Sequence, residues 1–148
     1  MTQKFRTALF AGSFNPFTVG HKSIVERTLG ICDRVVVAVG HNPAKPSDDA
    51  RKRVEEIKKI FATEPRVSVE LYSGLTVEFA RECEADFLVR GLRSVSDYEY
   101  ELNLAEVNRR ISGIETLFMP ALPELSFISS SNVRELAANG YDVSRFLP

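Results

Sequence analysis

Five short runs rich in β-branched and apolar residues alternate along the chain with five segments of helical periodicity, and the breaks between them are brief. That alternation predicts an α/β fold, in which right-handed crossovers build a parallel sheet with helices on both faces. Two local features agree. Residues 34–40 form a continuous β-branched run, the pattern of a parallel strand buried on both sides. The small-residue stretch Gly12-Ser13-Phe14-Asn15-Pro16-Phe17-Thr18-Val19-Gly20-His21 joins a strand directly to a helix, where free backbone N–H groups and the positive helix end suit a phosphate. The expected architecture is a Rossmann-like three-layer sandwich around a five-stranded parallel sheet, one domain over residues 1–148.

The elements follow in order. Residues 6–11 read as the first strand, and Ile24, Val25, Thr28 and Leu29 mark the inner face of the helix behind it. Thr18 is a suitable N-cap for that helix. Residues 34–40 are the second strand, and residues 47–62 a charged amphipathic helix with Val54, Ile57, Ile60 and Phe61 inward. Val67, Val69 and Leu71 alternate with Ser68 and Glu70, as in a strand near a sheet edge. Residues 75–83 are helical, 86–89 a fourth strand, 96–112 a long helix, 115–119 a fifth strand, and 131–139 a helix stopped by Gly140.

Composition narrows the function. Nineteen basic and twenty acidic residues leave a net charge of −1, which argues against gripping long nucleic acid through a basic surface. No apolar run approaches the roughly 18 residues of a membrane span and no secretory leader is evident, so a soluble cytoplasmic protein without nucleic-acid or membrane partners is expected. Cys32 and Cys83 share no metal or redox spacing and read as reduced packing residues. His21 and His41 are the only histidines, too few for a metal centre without a carboxylate motif.

In doubly wound sheets the ligand crevice lies beyond the carboxyl ends of the strands. After the first strand comes the loop ending in His21, whose imidazole either meets an anion at the helix end or merely caps the helix. After the second comes Gly40-His41-Asn42-Pro43-Ala44-Lys45-Pro46, with Lys45 as its one cation; Ser73-Gly74-Leu75-Thr76 opens a helix after the third. The fourth ends in Val89-Arg90-Gly91-Leu92-Arg93. Two forked guanidinium groups there suit phosphate oxygens or a structural ion pair, and Gly91 permits close backbone approach. Glu101, one turn into the next helix, is a candidate contact for a ribose hydroxyl or an amino group. After the fifth, Leu125-Ser126-Phe127-Ile128-Ser129-Ser130-Ser131 leads into a helix. One serine caps that helix, and the three together form a second phosphate cradle; Arg134 either strengthens its field or faces solvent. GxGxxG, the P-loop and GxSxG are all missing from the chain, which leaves two anion cradles, a His, a Lys and two Arg around a polyphosphate.

Thr18-Val19-Gly20-His21 resembles the TxGH form of the nucleotidyltransferase HxGH signature, and Ile128-Ser129-Ser130-Ser131 its ISSS/T motif. Residues Arg90-Gly91-Leu92-Arg93 through Asp97-Tyr98-Glu99-Tyr100-Glu101 closely resemble the RGLR…DxEYE segment of bacterial phosphopantetheine adenylyltransferases, and with the first loop and the terminal Phe146-Leu147-Pro148 the likeness spans the chain. Asn15 and Ser13 stand where that family more often has Asp and Thr, and residues 47–53 lack its usual Phe and Glu-Glu-Arg. The resemblance implies transfer of AMP from ATP to 4′-phosphopantetheine, giving dephospho-CoA and pyrophosphate, with Mg²⁺ held mainly by the ATP phosphates. It implies a catalytic trio of His21, Lys45 and Arg93. ATP would meet Ser13, Phe14, His21, Gly91, Leu92, Arg93, Glu101 and Leu125, Ser126, Phe127, Ile128, Ser129, Ser130 and Ser131. Phosphopantetheine would meet Ser13, Lys45, Thr76 and Arg90. A homohexamer and coenzyme A as a candidate inhibitor belong to the same expectation. The rivals are a nucleotidyltransferase with another acceptor, such as nicotinate mononucleotide or glycerol 3-phosphate, and a non-catalytic nucleotide sensor.

Overall fold

The computed structural model describes residues 6–45 and 49–148; the N-terminal lead-in and the first residues of the helix expected over 47–62 lie outside them. The strands are β1 (Thr7–Gly12), β2 (Arg34–Gly40), β3 (Val67–Tyr72), β4 (Phe87–Leu92) and β5 (Glu115–Pro120). The helices are α1 (Val19–Thr28), α2 (Ala50–Ile60), α3 (Thr76–Glu82), α4 (Val95–Ser112) and α5 (Ser130–Ala138). All pairings are parallel and the strand order is β3-β2-β1-β4-β5. The fold is the α/β, Rossmann-like sandwich that the alternation predicts, with the half-polar β3 at an edge.

Side-chain alternation divides the core. Ala8, Phe10, Val35, Val37, Val39 and Val89 face one side, where Ile24 and Val25 of α1 and Val54 and Ile57 of α2 cover them. Leu9, Ala11, Val36, Ala38 and Leu88 face the other, against Val77 and Ala80 of α3. Burying a Val or Leu side chain stabilises by about 1.5–3 kcal/mol, so a register slip that turned these strands over would be costly. β1 and β2 are buried along nearly their whole length. A third cluster of Ile128, Val133 and Phe146 docks α5 beside Val19 at the start of α1. Among the described residues no helix is long and apolar enough to cross a membrane, and both cysteines are free thiols.

Several boundaries differ from expectation, each for a local reason. β4 runs beyond the expected 86–89, through Leu92, because Arg90, Gly91 and Leu92 pair with Phe118, Met119 and Pro120 of β5. α4 starts at Val95, since the Ser94 hydroxyl accepts from the Asp97 N–H at 3.2 Å. α5 starts at Ser130, since Ser129 accepts from the Asn132 N–H at 3.0 Å. The chain changes direction between β1 and β4: β2 and β3 lie on one side of β1, β4 and β5 on the other. Such a switch point opens a crevice at the carboxyl ends of the strands.

Candidate active site

A cavity of about 280 Å³ occupies that crevice, bounded by the end of β1, His21, β4 and the start of α5. Its floor is the loop after β1. Phe14 (φ 49°) and Phe17 turn inward and are almost completely buried, with Phe14 edge-on to Phe10 at 5.1 Å and Phe17 edge-on to Phe61 at 5.9 Å. The aromatic rings anchor the loop and leave its backbone and Ser13 at the surface. Gly12 lies tight against the Phe14 ring: a Cβ there would come within 3.1 Å of that side chain, which would have to shift by a few tenths of an ångström.

Thr18 and His21 form a reciprocal cap. The Thr18 hydroxyl accepts from the His21 N–H at 3.4 Å, while His21 Nδ1 accepts from the Thr18 N–H at 2.9 Å, the part that Glu or Gln plays in an ordinary capping box. The imidazole packs edge-on to Phe14 at 5.0 Å and beside Phe17 at 5.3 Å. Burial first, then the cations of Arg93 and Arg90, lower its pKa from 6.5 to about 4. His21 is a neutral group at neutral pH, capping the helix and lining the cavity at once.

The two arginines have different surroundings. Arg90 donates through Nε and Nη2 to both carboxylate oxygens of Glu101, at 2.8 and 2.7 Å, and through Nη1 to the Ala11 carbonyl at 2.6 Å. It is thus the structural ion pair allowed for above, joining β4 to α4 and to the end of β1, and it also lines the cavity. That pairing with Glu101 raises its pKa further. Glu101 is the one buried residue of α4. Arg93 is exposed, with Asp97 at 3.4 Å from Nε. It turns a far less encumbered guanidinium toward the same space.

The three serines of α5 have separate tasks. Ser129 is the N-cap, Ser130 Oγ donates to the Pro16 carbonyl at 2.8 Å, and Ser131 Oγ accepts from Arg134 at 3.3 Å. The Ser130 hydroxyl thereby fastens the helix to the first loop, and the first turn, Ser129 to Ser131, borders the cavity, where orphan helix N–H groups suit an anion. Leu125 and Ile128 line the cavity with them. Ser126 instead donates to the Pro123 carbonyl at 3.0 Å, and Phe127 is 59% exposed, its ring against Phe146.

A second cavity, of about 790 Å³, adjoins the first and shares Gly12 and Ser13 with it. Lys45, His41, Ser73 and Gly74 line it, with Arg134, read above as strengthening the serine cradle or facing solvent, and Arg53, to which the sequence reading gave no role. Arg53 Nε donates to the Ser13 carbonyl at 2.9 Å, and Arg134 Nη1 to the Asn15 carbonyl at 2.5 Å. Neither sits in a motif, and only the folded chain brings these side chains of α2 and α5 to the same loop. Thr76 lies outside both cavities, its hydroxyl 2.9 Å from Tyr72 Oη. A Cβ on Gly91 would meet Ile24 at 3.4 Å, and Gly91 lies on the wall of the first cavity. Among the described residues no cluster of three or more His, Cys, Asp or Glu is placed to hold a metal.

Residues 9–136 match the model of the cytidylyltransferase-like family. The chain is 51% identical over 144 residues to a phosphopantetheine adenylyltransferase of Phocaeicola vulgatus, covering 97% of this chain and 95% of that protein. It is 52% identical over 146 residues to one of Porphyromonas gingivalis, covering 98% and 95%. The chain belongs to the phosphopantetheine adenylyltransferase family. It is also 48% identical over 143 residues to the family's protein from Gloeobacter violaceus, covering 95% of this chain and 89% of that one. A solved structure from Vibrio parahaemolyticus, described as a nicotinate-nucleotide adenylyltransferase, superposes with a TM-score of 0.65 at 20% identity, covering 97% and 94%. It shares the fold.

Proposed function

We propose that this chain transfers the adenylyl group of ATP to 4′-phosphopantetheine, giving dephospho-CoA and pyrophosphate. One observation carries the reading. The cavity with His21, Arg93 and the α5 N-terminus meets the cavity with Lys45 at Gly12 and Ser13, so a donor in the first and an acceptor in the second face each other across Ser13.

The reaction is an in-line displacement. An oxygen of the acceptor phosphate bonds to the α-phosphorus of ATP as the bond to pyrophosphate breaks, and no side chain is covalently modified. A phosphate monoester needs no strong base; it needs approach against like charge. Lys45 offsets that repulsion from the acceptor side, while His21, Arg93 and the first-turn N–H groups of α5 stabilise charge on the donor. Holding two reactants in line contributes on the order of 7–11 kcal/mol. Arg90 supports this site by holding Ala11 and Glu101 and by its charge on the wall of the first cavity; Glu101 faces the nucleotide from within the pair. Ser13 and Phe14 border the α-phosphate, Gly91, Leu92, Leu125 and Ile128 the nucleoside, with Ser126 and Phe127 on the outer side. Thr76 enters on the acceptor side beyond Ser73. Asp97 and Glu101, the carboxylates on the donor cavity, are both engaged by arginines, a donor set that suits Mg²⁺ arriving on ATP better than a resident ion. Bound in that way, the cation neutralises phosphate charge.

The homohexamer and its cytoplasmic setting belong to the same proposal. α4 exposes Tyr100, Val107 and Ile111 along one side, and the edge strand β5 exposes Leu117; such apolar surface suits burial between copies. Coenzyme A, as a relative of the product, is proposed to compete at the same two cavities. The deciding experiment measures pyrophosphate release with ATP and Mg²⁺ across acceptors. Turnover on phosphopantetheine and none on nicotinate mononucleotide or glycerol 3-phosphate is expected; turnover on either of the others instead, or tight ATP binding with no turnover at all, would overturn the reading. Sedimentation at micromolar concentration should give a six-chain mass.

A further inference from the structure

We propose that Thr18 is the positioning residue of this site: its backbone N–H and hydroxyl are both directed at Nδ1 of His21 and fix the imidazole as the tautomer that carries its proton on Nε2, so that His21 meets the donor phosphate as a neutral hydrogen-bond donor. The inference rests on the reading of His21 as a phosphate contact.

The geometry leaves little choice. A backbone N–H only donates, so with Thr18 N at 2.9 Å from Nδ1 that ring nitrogen must present its lone pair. The Thr18 hydroxyl, 3.2 Å from the same atom, is free to donate its proton there, since as an acceptor it already serves the His21 N–H. The single proton of a neutral imidazole then sits on Nε2, at the far side of a ring that lines the donor cavity. Thr18 is itself 1% exposed, which shields this arrangement from water, and Phe14 and Phe17 hold the ring plane. The charged groups lining the cavity are Arg90 on β4, Arg93 after it, and Asp97 and Glu101 on α4; the end of β1 and the start of α5 bring none. The carboxylates are paired with the arginines, so none is left to draw a second proton onto the imidazole. The motif TxGH thereby gains a reason for its spacing. The cap residue three positions before the histidine sets its tautomer.

Nitrogen-15 NMR of histidine-labelled protein tests this without reference to turnover, and with only two histidines in the chain a His21→Gln sample assigns the signals. His21 is expected to give the pattern of a neutral ring protonated on Nε2 from pH 5.5 to pH 8. A ring protonated on Nδ1, or an imidazolium at pH 6, would overturn the proposal whatever the enzyme catalyses. In turnover, Thr18→Val keeps the shape and removes the hydroxyl. Its kcat should fall by about tenfold or more, as is usual when a partner that orients an active group is lost, with the KM for ATP within about twofold; its His21 signal should titrate at higher pH. Thr18→Ser should restore both. Unchanged kcat together with an unchanged His21 signal in Thr18→Val would refute a positioning role for the hydroxyl.

Discussion

Below about pH 6.5 His21 is protonated in the unfolded chain, but in the folded chain only below about pH 4. Between those values the unfolded state binds more protons, so this residue makes stability fall as the pH drops through the window and contributes no slope above it. Urea unfolding from pH 4 to pH 7 should show that slope in the wild type and lose it in His21→Gln. Catalysis should be hit harder. His21→Ala removes one preorganised donor, worth about 3–4 kcal/mol at the transition state, so kcat should drop by about 10²–10³-fold with a near-native KM for ATP. Arg90 is different, because removing it strands the buried Glu101 carboxylate. Arg90→Ala should cost about 3 kcal/mol of stability, read from its denaturation midpoint, and Arg90→Met with Glu101→Leu should recover the stability without the activity. At this scale the sequence told which side chains gather at the strand ends. It did not distinguish a ligand contact from an internal partner, because Arg90 and Arg93 look alike until Glu101 and Ala11 are seen to hold one of them.

Helices α1, α4 and α5 begin where a Thr or Ser hydroxyl meets an orphan N–H, and α4 ends on a glycine. Ser129→Ala removes the hydroxyl that accepts from the Asn132 N–H and should cost about 1 kcal/mol, with a further loss of ATP affinity because the same turn borders the donor cavity. Gly113 closes α4 at φ 76°, a left-handed conformation that a Cβ disfavours. Gly113→Ala should lower stability by about 1 kcal/mol and leave turnover unchanged; thermal unfolding beside the pyrophosphate assay checks both. Elements of strong periodicity were legible, as β2 with its unbroken Val run and α2 with its inward Val54 and Ile57 show. Ends were less so. Ser94 and Ser96 are equally good caps on paper, and pairing with β5 prolonged β4 beyond its apolar run.

For the whole molecule, ligand binding and folding are linked. ATP at about a hundred times its dissociation constant should raise stability by about 2.7 kcal/mol, visible as a rise in melting temperature. Phosphopantetheine should add its own increment, and His21→Ala should reduce the first more than the second. The fold class, the strand count, the edge position of β3 and the crevice at the strand ends were determined by the sequence alone, because hydrophobic periodicity and chain connectivity admit few other solutions. So was the set of motifs that led to the family. Tertiary structure alone decided that Arg90 belongs to Glu101, that Arg53 and Arg134 reach the first loop, and that His21 is held by Thr18 as a neutral ring. Those facts depend on contacts of a few ångströms between segments up to 119 residues apart, and on the desolvation that packing imposes, neither of which is written in the order of residues along a chain.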